Sequence, residues 1–586
     1  MCGALAMSGE DDFRIRPGRI RSTRAQAARP FIAQALAAAQ RAGGRVSRSG
    51  QISKGNRSRF GRGQRATVQA NRLLTSRSRN TVIKTRVVRH TARAAPLSAH
   101  LSYLRREGVT RDGEKARLFG PETEDADPKA FAERCQDDRH HFRFIVSPED
   151  AVEMSDLKTF TRELMGQMEK DLGTRLDWVG VDHWNTEHPH VHVIVRGRAD
   201  DGQDLVISRD YIKEGMRARA QDLITQELGP RTDHEIRRTL ERQIDTERWT
   251  QLDRQLTRDG YRTGVVDLAP HPDHQPDEFH ALKVGRLRKL ESLGLADQIG
   301  PGQWVMAENA EAALRELGER GDIIKRIHRG LMERGIERSA AAYVLAGESL
   351  DDPVIGRLVD RGLDDELKGT AYAVVDGVDG RTHHVKLPDL DAAADSAPGS
   401  IVELRKFDDA QGRRRVALAV RSDLSLDRQI TATGATWLDR QAIAREPVAL
   451  GGGGFGAEVR EAMNARAEHL IEQGLAERQG SRSVIFARNL IDTLRRREVD
   501  ALGEKLAVET GRPFSRSATG EYVAGTYRQR FALASGRFAM IDDGLGFQLV
   551  PWSPSLEKQL GRHVSGVARG DGGIDWGFGR KRGLGL

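Results

Sequence analysis

Cysteine is almost missing: Cys2 and Cys135 are the only two among 586 residues, which excludes a disulfide framework and a zinc cluster built on four thiolates. Long hydrophobic runs are missing too. No segment approaches the 18 or more apolar residues of a membrane span, so no membrane insertion is expected. The opening MCGALAMSGEDDFR has acids where a secretory leader would be basic, and an intracellular site is the expectation. The glycine clusters at Gly451 to Gly454 and at Gly572 and Gly573 lack the lysine and serine of a phosphate-binding loop, so nucleotide hydrolysis is not expected. Tyrosine is scarce, with seven in the chain.

What is abundant is charge, and it is unevenly spread. The first 100 residues hold 21 Arg and Lys against 3 Asp and Glu, a net of +18, while the whole chain is only +8. Residues 41 to 80 mix Arg, Gly, Ser and Gln with few large apolar groups and cannot build a core, so 1–80 reads as a basic disordered arm. The physical use of such an arm is phosphate neutralisation, which favours nucleic acid as partner. A chain of this length implies several domains.

The most informative stretch is VGVDHWNTEHPHVHVIVR, Val179 to Arg196. In HVHVIV, His190 and His192 alternate with Val191, Val193 and Val195, the period of a half-buried strand. Both imidazoles leave one face, about 7 Å apart along the backbone. His183, seven residues before His190, is the third candidate ligand, because the turn-rich DHWNTEHP can fold it back. Four histidines in ten positions of a chain with 17 favour a metal site over ordinary surface polarity.

Around it, TVIKTRVVRH reads as a strand, SAHLSYLRREG as a short helix with Ser98 as N-cap and Gly108 behind it, and EDADPKAFAERCQDD as a helix. RHHFRFIVS reads as a strand, DLKTFTRELMGQMEKDLG as an amphipathic helix, and RLDWVGVDHW as the strand before the histidines. The order β, α, α, β, α, β, β predicts an α+β fold: an N-terminal antiparallel sheet with helices on one face and the other face free for a ligand.

HWNTEHPHVHVIVRG resembles the third signature of conjugative relaxases, the tyrosine nickases that start plasmid transfer. The likeness is to the agrobacterial virulence and broad-host-range plasmid mobilisation branch. In that family an H-x-D-T-x-x-P-H-x-H pattern supplies three histidines to one divalent ion, and the matching positions are His183, His190 and His192. The family's first signature matches HLSYLRREG, which implies Tyr103 as nucleophile; by their charge and position His100 is a supporting candidate and Arg105, Arg106 and Arg143 are candidates for gripping phosphates near the nick, the alternative being solvated charges on a helix or strand edge. Asn185 stands where the family often has aspartate. The resemblance covers about 81 to 240 and implies an HUH-type nuclease fold. It also implies strand-specific nicking and rejoining at a transfer origin, through a 5′-phosphotyrosine and a free 3′-hydroxyl. Mg or Mn is the implied ion; three imidazoles would also suit Zn. Implied partners are single-stranded and supercoiled DNA, a coupling ATPase, a type IV secretion system and relaxosome accessory proteins. A bacterial cytoplasmic location follows, with export alongside the DNA. The alternative is a non-catalytic DNA-binding or scaffold protein with a structural metal.

Beyond the nuclease domain of 81–230, residues 231–275 read as a helical linker with Leu240, Ile244, Trp249, Leu252 and Leu256 on one stripe. Residues 276–365 read as winged-helix-like and helical, with Arg286, Arg288 and Lys289 on the exposed side of their helix. The short β-prone runs of 366–430 suggest a small barrel or sandwich, in which His383 and His384 point to opposite faces. Residues 431–586 read as a C-terminal α+β region with a basic tail.

Overall fold

Four antiparallel strands organise the N-terminal part: β3 (Thr81–Arg89), β4 (His140–Pro148), β5 (Trp178–His183) and β6 (His190–Arg196), in the order β3-β4-β6-β5. This computed structural model describes residues 44–46, 52–54, 78–90, 97–106, 109–184, 188–261, 263–270, 279–345, 352–389, 391–393, 395–408, 412, 414–480, 483–518, 520–569 and 573–577. They fall into two units, Met1–Ile236 and Arg237–Leu586. Within the basic arm, β1 (Gly44–Val46) and β2 (Ile52–Lys54) pair antiparallel; most of the arm, for which disorder is expected, lies outside the described residues.

The helices are α1 (Leu97–Leu104), α2 (Pro128–Arg134), α3 (Leu157–Leu172) and α4 (Met216–Leu228). Ser98 lies inside α1 and is not its N-cap. Asp127 caps α2, with Pro128 in the first turn, where its missing N–H costs nothing. Asp156 caps α3 through the Lys158 and Thr159 amides, and Gly173 ends it with φ at 66°. The stripe Leu157, Phe160, Leu164, Met168 and Leu172 is buried against one sheet face, where it meets Phe142, Phe144, Val146, Val191, Val193 and Val195. Phe119 lies across β5 because position 180 is glycine: a Cβ there would sit 2.7 Å from the ring.

The second face is not free. Leu101 and Leu104 of α1 and Phe131 of α2 cover Val179, Val181 and Ile194. The physical reason is that Val179, Val181 and Ile194 are apolar on this side too, beside the histidines, and need a cover. Helices therefore pack on both faces, and the ligand-bearing region is confined to the sheet end where the histidines stand.

In the second unit the linker stripe is two helices, α5 (Asp233–Gln243, which begins just before the division) and α6 (Gln251–Asp259). Next come strand β7 (Val266–Asp267), helix α7 (His280–Ser292), a hairpin of β8 (Ala296–Gly300) and β9 (Gln303–Met306), and the long helix α8 (Ala310–Met332). Arg286 does not face solvent: it is fully buried, and its guanidinium is held by Asp253. Arg288 is exposed and Lys289 pairs with Glu247. A six-stranded sheet follows, built from β10 (Tyr343–Leu345), β11 (Val354–Asp365), β12 (Thr370–Gly377), β13 (Thr382–Leu387), β14 (Ile401–Asp408) and β15 (Arg414–Ser422). Its order is β10-β13-β12-β11-β14-β15, so it draws β10 and β11 from before residue 366. Short helices α9 (Leu426–Ile430) and α10 (Trp437–Ala442) lead to α11 (Gly454–Glu472), the hairpin β16 (Ala476–Gln479) and β17 (Ser483–Phe486), and α12 (Leu490–Thr510). The last sheet has the order β18-β21-β20-β19-β22-β23, from β18 (Phe514–Ser515), β19 (Tyr522–Leu533), β20 (Gly536–Asp542), β21 (Phe547–Pro551), β22 (His563–Ala568) and β23 (Ile574–Trp576). Among the described residues no helix is long and apolar enough to cross a membrane.

Candidate metal centre and nucleophile helix

Period two on both strands and the register between them bring the histidines together. His183 sits directly opposite His190 and Val181 opposite His192, so all three imidazoles occupy the face covered by α1. All three are buried. The ring centroids of His183 lie 5.4 Å from His190 and 4.5 Å from His192, and one nitrogen from each ring lies within 4.8 Å of the others.

Backbone carbonyls fix the tautomers. The Leu104 carbonyl only accepts, so His183 carries its proton on Nε2, which donates across 2.8 Å, and its lone pair is on Nδ1. The His188 carbonyl likewise takes the proton of His190 Nδ1 at 3.0 Å and leaves the lone pair on Nε2, 3.2 Å from Nε2 of His192. Orientation of a ligating imidazole through its other nitrogen is how protein metal sites are usually built. The donor set therefore fits one divalent ion, and on chemical grounds three imidazoles suit the borderline Zn²⁺ better than the oxygen-preferring Mg²⁺.

Leu104 is also the last residue of α1, and Tyr103 is its neighbour. The helix end that bears the tyrosine and the first metal-ligand candidate are thus joined by one hydrogen bond. The Arg106 guanidinium lies over the Tyr103 ring, 4.4 Å from its centroid. Arg105 donates from Nε to the Ala116 carbonyl at 3.4 Å. His100 is buried one turn before Tyr103. Arg143, on β4 opposite Ile194, belongs to the same sheet face but is buried and donates from Nε to His141 Nε2 at 3.0 Å. Burial first, then the neighbouring Arg86, holds its guanidinium down at about 10. Asn185 lies outside the described residues.

Three features had no sequence signal or only a weak one. The Leu104 carbonyl is backbone and invisible in sequence. Trp184 donates to Asp182 at 2.7 Å and stacks under Arg111, which fixes the chain as it leaves β5. His141 also contacts His90, 2.6 Å away, making a relay that its position at a strand start did not reveal.

Residues 123–229 match the family model described as Relaxase: MobA/VirD2-like, nuclease domain. The chain carries a relaxase nuclease domain. The match spans β4, α3, β5, β6 and α4, and so contains all three histidines of the centre. Residues 283–413 and 404–585 match a second family, described as Protein of unknown function (DUF3363), which takes in more than half of the chain. Searches of curated proteins and of solved structures find no match. The nuclease domain ties the chain to DNA nicking in mobilisation.

Proposed function

We propose that this relaxase nicks and rejoins one DNA strand at a transfer origin, using Tyr103 as nucleophile beside a divalent ion on His183, His190 and His192. The observation that carries the proposal is the hydrogen bond from His183 to the residue after Tyr103, which ties nucleophile and ligand cluster into one site. An ion held there would polarise the scissile phosphate and offset the charge of its transition state.

A neutral phenol is a poor nucleophile and sheds its proton as it attacks. We assign His100, one turn earlier on α1, to receive that proton. The Tyr103 oxygen bonds to phosphorus, the bond from phosphorus to the 3′ oxygen breaks, and the leaving oxygen takes its electron pair and then a proton from solvent. The products are a 5′-phosphotyrosine and a free 3′-hydroxyl. One phosphate ester replaces another, so the reverse attack by a 3′-hydroxyl rejoins the strand. Arg106, stacked on the tyrosine ring, favours the phenolate electrostatically, and with Arg105 and Arg143 is assigned to phosphates near the nick. Asn185 is assigned to the surroundings of His183. We read the first unit as an HUH-type nuclease fold and the helix–hairpin–helix segments of the second as winged-helix-like. Within this reading, a coupling ATPase, a type IV secretion system and relaxosome proteins are the partners.

The test is adduct mapping on supercoiled plasmid and on single-stranded DNA bearing the nick site. Tyr103→Phe is expected to bind single-stranded DNA near the parent affinity and form no covalent adduct. In the parent, chelation should stop adduct formation and Mn²⁺ or Mg²⁺ restore it. Recovery of the nucleotide on another tyrosine, or an active Tyr103→Phe enzyme, would refute the assignment.

A further inference from the structure

The second unit contains one assembly twice. Thr250-Gln-Leu-Asp-Arg-Gln and Thr436-Trp-Leu-Asp-Arg-Gln each open a helix with a capping box. Asp253 holds the buried Arg286 by two hydrogen bonds of 2.8 and 2.9 Å; Asp439 holds the buried Arg466 by two of 2.9 and 3.0 Å. The remaining guanidinium donors reach three alternate carbonyls in both places, those of Ile244, Thr246 and Arg248 in the first and Ile430, Ala432 and Gly434 in the second. From each arginine onward the two stretches run in step, 180 residues apart. Leu290, Gly294, Leu295 and Ala296 recur as Leu470, Gly474, Leu475 and Ala476. The Leu295 amide bonds to the Leu290 carbonyl as Leu475 does to Leu470, and Ala307 bonds to Leu295 as Ala487 does to Leu475. In both sheets that follow, the first strand is parallel to its neighbour and every other pairing is antiparallel. The unit is a tandem duplication.

Duplication supplies an internal comparison, because matched positions share a scaffold and differ only in what was placed on it. Where the first copy has Gln298, Glu308, Glu316 and Leu317, the second has Arg478, Arg488, Arg496 and Arg497. Arg488, Arg496 and Arg497 are exposed and have no ion-pair partner among the described residues; Arg478 pairs with Glu468. Arg495 adds a further positive charge, and burial first, then Arg495, holds Arg440 below the ordinary arginine range. The first copy follows helix electrostatics, with Glu308 and Glu311 at the positive start of α8. The second keeps one acid, Asp492, in the first turn of α12 but places Arg488 just before it and Arg495 to Arg497 in its second turn. A helix start ringed by arginine opposes its own dipole and suits an external phosphate, which backbone N–H groups and guanidinium forks can hold together.

We propose that the hairpin β16–β17 and the start of α12 form a DNA-backbone binding surface, with Arg488, Arg496 and Arg497 gripping phosphates, and that the first copy keeps the scaffold without this activity. DNA is favoured over an acidic protein because the nuclease domain on the same chain already engages that polymer. A second point of attachment then acts at high effective concentration. The proposal rests on DNA as the substrate of that domain and not on the tyrosine chemistry.

The test is the full chain carrying Arg488→Glu, Arg496→Glu and Arg497→Leu, the residues that the first copy carries at the same places, so the scaffold is expected to fold. On a labelled duplex of about 60 base pairs, affinity near 0.1 M salt should fall roughly tenfold, and the slope of log affinity against log salt should flatten by about 2 to 3, since each phosphate no longer neutralised removes about 0.9. Adduct formation on a short nick-site oligonucleotide should be unchanged. Unaltered duplex affinity and slope would overturn the proposal, and so would loss of an acidic protein partner with DNA binding intact. An equal loss on reversing Arg254, Arg288 and Arg320 of the first copy would also overturn it, by showing net charge alone at work. Absence of any adduct in the parent would refute the nicking reading and leave this surface standing.

Discussion

His141 makes a chain of hydrogen bonds that only a neutral ring completes. Arg143 donates to its Nε2, so its own proton is on Nδ1, facing His90. Burial first, then the positive charge of Arg143, then His90, push its pKa down to about 3. An unfolded histidine titrates near 6.5. Between those two values the unfolded chain binds a proton that the folded ring refuses. Stability is therefore fully present above about 6.5 and falls as the pH drops toward 3, by about 1.4 kcal/mol per pH unit for this one group. His141→Asn keeps an acceptor for Arg143 and removes the titration. Denaturant unfolding at pH 7 and pH 4.5 is expected to show a larger acid loss in the parent than in the variant; identical losses would take His141 out of the acid response.

Among the elements, the buried knots of Arg286 on Asp253 and Arg466 on Asp439 decide whether the helix–hairpin–helix segments hold. Arg286→Met strands a buried carboxylate and three carbonyls, at a cost of about 3 to 5 kcal/mol. Hydrogen exchange should speed up in residues 248–256 in that variant and in residues 434–442 in Arg466→Met, with the other copy still protected. Spread of the effect through both copies would contradict independent knots. The strands, α3 and the histidine face were legible in the sequence because period two and period 3.6 are local signals. Arg286 was misplaced because an arginine on an amphipathic helix reads as solvated, and its partner Asp253 lies 33 residues away with nothing local to announce it. The covered second sheet face was misjudged for a related reason: apolar residues at Val179, Val181 and Ile194 read equally well as the interior of a strand buried on both sides. The joint of α1 to His183 had no signal at all, since a backbone carbonyl belongs to every residue.

At the scale of the molecule, charge is partitioned: the first 100 residues carry +18 of a chain total of +8. Such an arm binds phosphate without a rigid reading element, so it contributes affinity and little choice of site. Deleting residues 1–80 is expected to flatten the salt dependence of non-specific DNA binding while nicking stays at the same position, as read by primer extension. An unchanged slope would assign the arm to another partner. The duplicated knots have a consequence for synthesis on the ribosome. Both guanidinium pockets offer the same pattern of one carboxylate and three carbonyls, and adjacent repeats are prone to swapping partners as they fold. Asp253 and Arg286 are close in the chain, whereas Asp439 emerges 153 residues after Arg286, roughly ten to thirty seconds later at ordinary elongation rates. The first pair can therefore close before its rival has been synthesised.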